Sequence, residues 1–188
     1  MTYRDLYDFV QTQDIHIKRT ALRDRITAAY GPLKVMQTGI DTNVSRGYYL
    51  SPKNTEHPFV KMCGSCVILI ARDQNRCWQR FVEFKELMHI FDDPSEASDT
   101  GEVFDRLLAE FSGAATLERS PQMTSEIKAF WMALSLCCPE EKRAEFQNQR
   151  LAGTTDDYSI ALALRVPQQY VPNLFGPNYQ PILAFLRK

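Results

Sequence analysis

The sequence predicts an α+β fold, and three features carry that expectation. Apolar residues recur at helical spacing in residues 1–31, short runs of Val, Ile, Tyr and Phe broken by Gly, Pro, Asn and Ser fill residues 33–72, and helical spacing returns across residues 75–188. A small sheet set between two helical blocks, with no internal repeat or linker, reads as a single domain spanning 1–188. A chain of 188 residues buries roughly 70% of the surface exposed when unfolded, so it needs no disulfide framework.

Thr2 and Asp5 have the spacing of a capping box, and Tyr3, Leu6, Tyr7 and Val10 follow on one helical stripe. A second helix is expected over about 18–30, with Leu22, Ile26 and Ala29 on its apolar face and Gly31-Pro32 as its stop. Strands are expected at 33–40, 47–50, 58–62 and 66–72. The last begins Cys66-Val-Ile-Leu-Ile-Ala71, apolar at every position, which describes a strand covered on both faces. Beyond it, helices are expected at 75–91, 102–111, 125–137, 139–147 and 156–164, with a shorter turn of helix after Pro167 and a loop at 92–100.

Bulk properties exclude several classes of function. The 44% apolar and 24% charged composition is that of a soluble globular domain. A net charge of −1 without a basic cluster argues against direct nucleic-acid binding. Apolar runs such as residues 67–71 are far short of the ~20 residues of a membrane helix. The opening residues lack the basic-then-apolar pattern of a secretory leader, so a cytoplasmic location is expected. Five cysteines, two of them adjacent at Cys137-Cys138, suit reduced thiols.

Residues 80–91, Arg-Phe-Val-Glu-Phe-Lys-Glu-Leu-Met-His-Ile-Phe, carry the chemistry. A zinc-peptidase helix uses His-Glu-x-x-His because residues four apart lie one above the other. Two imidazoles then grip one ion while the glutamate beside the first activates a water. Here that register reads Lys85-Glu86-Leu87-Met88-His89, with lysine in the position of the first ligand.

Glu-x-x-His alone arises often by chance, and its flanks narrow the reading. An apolar strand at 68–72 leads into the Arg80-Phe81 helix. Downstream lie Glu126-Ile-Lys-Ala-Phe-Trp-Met-Ala-Leu-Ser-Leu-Cys-Cys-Pro-Glu140 and Tyr158-Ser-Ile-Ala-Leu-Ala-Leu-Arg-Val-Pro167. In order and spacing these segments resemble the ImmA/IrrE family of zinc metallopeptidases over residues 66–171, while the N-terminal third matches only in its order of helices and strands.

The resemblance implies a zincin-like metallopeptidase fold in which a small sheet packs against the motif helix and a second ligand-bearing helix. It implies Glu86 as general base and His89 and Glu126 as metal ligands. Lys85 makes all three vestigial, because a catalytic zinc takes three protein ligands and an ammonium repels the ion. Without zinc no water is activated for Glu86. A catalytically silent relative is therefore expected, with no cofactor, acting on a protein partner such as a transcriptional regulator in a mobile-element or stress-response setting. The alternative is an active zinc peptidase in which Asp92 or Asp93 substitutes for Lys85.

Lys85 shares a stripe with Trp78, Phe81, Val82 and His89, and a buried cation needs a partner. The family template points to Glu126, so a Lys85–Glu126 ion pair is one expectation, and a lysine that extends its ammonium into water is the other. Cys63-Gly-Ser-Cys66 precedes a strand rather than a helix, which favours a turn with buried thiols over a redox pair. His16 and His57 are expected at the surface, and Cys77, Cys137 and Cys138 in the core or on helix faces. Phe81, Phe84, Phe91, Phe130 and Trp131 read as packing between the two motif helices. The 167–181 segment, with Tyr170, Phe175 and Tyr179, is either an exposed binding surface or packed against the domain.

Overall fold

The computed structural model describes residues 1–96 and 120–188, and the expected helix at 102–111 lies outside them. Helix α1 (Tyr3–Gln11) starts on the capping box. Thr2 Oγ1 accepts the Asp5 N–H at 3.2 Å, and the Asp5 carboxylate accepts the Thr2 N–H at 2.7 Å. Two donors that no helical carbonyl could reach are thereby satisfied. Tyr3, Leu6, Tyr7 and Val10 are all buried. Helix α2 (Arg19–Tyr30) buries Leu22 and Ile26 but leaves Ala29 exposed, because its last turn projects beyond the core.

Three strands form one sheet in the order β1 (Leu33–Thr38), β3 (Cys66–Ala71), β2 (Gly47–Leu50), with β1 parallel and β2 antiparallel to the central β3. Every residue of β3 is buried. Ile68 and Ile70 join the main core, whereas Val67 and Leu69 pack in a second cluster with Val60. Val60 belongs to helix α3 (Pro58–Cys63), which corrects the strand expected at 58–62. Its end groups decide the matter: His57 Nδ1 accepts the Phe59 N–H, Pro58 takes the first turn, and Gly64 closes the helix in the left-handed conformation at φ +60°. The misread segment is the helix that covers the second face of β3.

Helix α4 (Arg76–Met88) is capped by the Asn75 side chain and tightens into a 3-10 turn at His89–Phe91. Helix α5 (Pro121–Cys137) begins four residues earlier than expected, because Ser120 accepts the Met123 N–H and Pro121 suits the first position. Then come α6 (Glu140–Leu151), α7 (Asp157–Leu164), α8 (Val171–Phe175) and α9 (Tyr179–Leu186). The main apolar cluster draws buried residues from every one of these helices except α3.

The 167–181 segment packs inward. Tyr170 sits 4.7 Å from the Phe81 ring and 4.9 Å from Phe130, and Tyr179 is buried. Helix α9 had no counterpart among the expected elements. Its Pro181 falls in the first turn, where the missing N–H costs nothing. No helix of the described residues is long and apolar enough to cross a membrane.

One glycine sets how closely α4 approaches the sheet. A Cβ on Gly47 would lie 2.5 Å from Val82 Cγ1, 2.9 Å from the Leu69 carbonyl and 3.1 Å from Glu86 Cγ. A side chain here would push α4, and with it Glu86, off β2.

Candidate functional site

Helices α4 and α5 pack side by side, and α5 presents Ser125, Ala129 and Ala133 at every fourth position of its buried face. Small residues at that spacing let two helices approach closely. Glu126 follows Ser125 and so comes to the rim of the seam, opposite the α4 face that carries Lys85 and, one turn later, His89.

The three side chains meet. Lys85 Nζ lies 2.6 Å from Glu126 Oε2 and 2.9 Å from Glu86 Oε1, so one ammonium bridges a carboxylate from each helix. The ion pair expected from the resemblance is formed, and the solvent-extended lysine is not, since the Lys85 side chain is 21% exposed. Burial works to lower the lysine pKa, but the Glu86 and Glu126 carboxylates outweigh it and hold the ammonium above its ordinary range. For Glu126 burial works upward, and Lys85 and then His89 hold the carboxyl below its ordinary value of 4.5.

His89 is gripped from one side. Its Nδ1 lies 2.7 Å from Asp92 Oδ2 and 3.1 Å from Ser125 Oγ, and Ser125 donates to the same Asp92 oxygen at 2.6 Å. Asp92 is kept ionised by these contacts and by Lys128, against the opposing effect of burial, so the Nδ1 proton goes to the carboxylate. That orientation turns Nε2 toward Glu126 Oε1 at 3.5 Å and Glu86 Oε2 at 3.8 Å, where it makes no hydrogen bond. Burial and Lys85 lower the imidazole pKa, while Asp92, Glu126 and Glu86 raise it, and the net shift is upward. Lys128 extends the network to Glu96.

These groups floor a cleft of about 1140 Å³ whose walls include Tyr48 and Tyr49 of β2, Phe130 and Trp131 of α5, and Tyr170. Phe130 packs edge to face with both Phe81 and Tyr170, so three of the aromatics read from the sequence as helix packing, Phe81, Phe130 and Trp131, also line the cleft. Phe91 stands apart, against Tyr3 and Tyr30.

Zinc does not fit the side chains as they stand. Lys85 offers three donors and no lone pair, and its hydrogens occupy one oxygen of each glutamate that a metal would need. Asp92 cannot join Nε2 on a common ion, because it is bound to the opposite nitrogen of the ring. Asp93 is exposed, and its backbone N–H donates to Glu96. Among the described residues no group of three or more His, Cys, Asp or Glu side chains is placed to hold a metal.

Other sites read from the sequence lie elsewhere. Cys63 ends α3 and Cys66 opens β3, both as free thiols, and burial pushes the Cys66 thiol up to about 11. His16 and His57 are half-buried rather than exposed, and His57 serves as the cap of α3. Ser125 and Lys128 belong to the site although their spacing did not mark them, and Arg19 and Arg23 hold Glu83 in a second, likewise unexpected ionised cluster on the far side of α4. Arg19 and Arg23 one helical turn apart were the available signal. Comparisons of the chain with protein-family models, with curated proteins and with solved structures return no match.

Proposed function

We propose that this chain is a catalytically silent, metallopeptidase-like protein of ImmA/IrrE type and zincin-like architecture. In this reading the Lys85 ammonium stands where the first zinc ligand would be and joins α4 to α5 through Glu126. The observation that carries it is the 2.6 Å contact between Lys85 Nζ and Glu126 Oε2, with Glu86 as the second partner. Glu86 in the general-base position is then tied to a cation instead of an activated water, and hydrolysis by the metal route has no nucleophile. What remains is a wide aromatic cleft, which serves a protein-interaction or regulatory role. By analogy with the family the partner is a transcriptional regulator in a mobile-element or stress-response setting, met in the cytoplasm.

Zinc titration of the purified chain and of Lys85→His tests this. Lys85→His is expected to take up one zinc per chain, with loss of that uptake in Lys85→His/Glu126→Gln, while the native chain takes up none. Stoichiometric zinc on the native chain, abolished by His89→Gln, would favour an active peptidase instead.

A further inference from the structure

The Lys85 bridge uses only one oxygen of each glutamate. The remaining two, Glu86 Oε2 and Glu126 Oε1, converge on His89 Nε2 at 3.8 and 3.5 Å. While the imidazole is neutral and its Nδ1–H donates to Asp92, Nε2 is an acceptor. Three acceptors therefore face one point, with no hydrogen bond between them. His89 is only 9% exposed, and its unpartnered nitrogen is aimed at the floor of the cleft. A buried nitrogen in that state is costly unless a donor reaches it.

The charge of the floor says what kind of donor. In the ion-paired network around His89 the carboxylates of Glu86, Asp92, Glu96 and Glu126 face two ammonium groups, Lys85 and Lys128, so two negative charges are in excess there while the imidazole is neutral. A primary ammonium supplies three hydrogens on one positive centre, which matches three converging acceptors. Lys85 already occupies the second oxygen of Glu86 and of Glu126, so neither carboxylate can chelate a divalent ion through both of its oxygens. The walls fit the same occupant: Tyr48, Tyr49, Phe130, Trp131 and Tyr170 flank the approach, where they can cover a methylene stem and face its cation. A cleft of about 1140 Å³ exceeds what one small molecule requires and has room for a stretch of chain.

We propose that the cleft is a docking site for a lysine side chain of a protein partner, whose ammonium enters the nook formed by Glu86 Oε2, Glu126 Oε1 and His89 Nε2. This names the chemistry of the partner in the interaction reading above and rests on that reading. The probe is an acetylated and amidated Leu-Lys-Leu peptide, compared with the same peptide carrying norleucine in place of lysine, and followed by NMR of the His89 imidazole assigned through His89→Gln. The lysine peptide is expected to shift the ring resonances saturably, and the norleucine peptide not at about tenfold higher concentration. Glu126→Gln should weaken binding by about tenfold or more. Glu141→Gln, an exposed carboxylate on α6, should leave binding unchanged and controls for the loss of one negative charge. Equal responses to the two peptides, or no saturable response, would overturn the docking site and leave the silent-peptidase reading standing. Zinc uptake by the native chain that the lysine peptide fails to displace would overturn both.

Discussion

Helix α4 carries two ionised clusters on nearly opposite faces, and they are built in reverse. At Glu83 a fully buried carboxylate sits at the centre, and its partners Arg19 and Arg23 are 44% and 33% exposed. At Lys85 a cation sits at the centre, and its carboxylate partners border a cleft. The first cluster is closed, with both carboxylate oxygens matched by guanidinium groups. The second leaves acceptors over. A closed cluster fastens α2 to α4 and has nothing to offer a ligand, whereas surplus acceptors on a cleft floor give a ligand something to bind.

The asymmetry can be broken at Glu83 first, where the largest effect is expected. Removing both cations in Arg19→Ala/Arg23→Ala strands a carboxylate with no access to water. It should cost about 3–5 kcal/mol, or on the order of 10 °C in Tm. Glu83→Leu should cost less than half as much, because the two arginines can turn into solvent. Equal losses in thermal unfolding would show that the cluster does not depend on the buried carboxylate as described.

A smaller effect is expected from titrating His89, which faces Asp92, Ser125, Glu86, Glu126 and Lys85. Its folded pKa lies above the ordinary 6.5, so its stabilisation is complete below that value and is lost as pH rises through the folded value. Asp92 and Glu126 are shifted down, so theirs is present above the ordinary 3.8 and 4.5 and is lost only as pH falls further. Tm should therefore decline from mildly acidic to alkaline pH, and His89→Gln should flatten that decline. A slope that survives the substitution would assign it to other groups.

The smallest effect concerns the thiols. With Cys66 buried and its thiol raised to about 11, mild oxidant should form no Cys63–Cys66 disulfide, and alkylation of the folded chain at about pH 8 should spare Cys66. Rapid reversible oxidation of the pair would restore the redox reading.

Much of this architecture was legible in local spacing. The capping box at Thr2 and Asp5, the unbroken apolar run of β3, and the stripe that joins Lys85 to His89 all depend on residues within a few positions of each other. Helix α3 was not legible, because its six residues read as strand and only their ends, His57, Pro58 and Gly64, mark a helix. Helix α9 was hidden by Pro181, which breaks a helix in the interior but not in the first turn. The meeting of Lys85 with Glu126 came from a family resemblance and not from spacing, since they lie 41 positions apart in the chain. The pairing of Glu83 with arginines some 60 positions earlier had a local sign only in the one-turn spacing of Arg19 and Arg23, which does not name the partner. Asp92 was noted as a ligand substitute, yet it holds the far side of the imidazole, a distinction that only ring orientation decides.

The clamp between α4 and α5 is tested most directly by a double-mutant cycle on Lys85→Met and Glu126→Gln, read by denaturant unfolding. Each single change is expected to destabilise by about 2 kcal/mol, moderated by water that reaches the cleft, and the double variant to cost clearly less than their sum. A coupling of about 1 kcal/mol or more would agree with the ammonium joining the two helices. Strictly additive losses would mean that Lys85 and Glu126 lie side by side without holding the helices together.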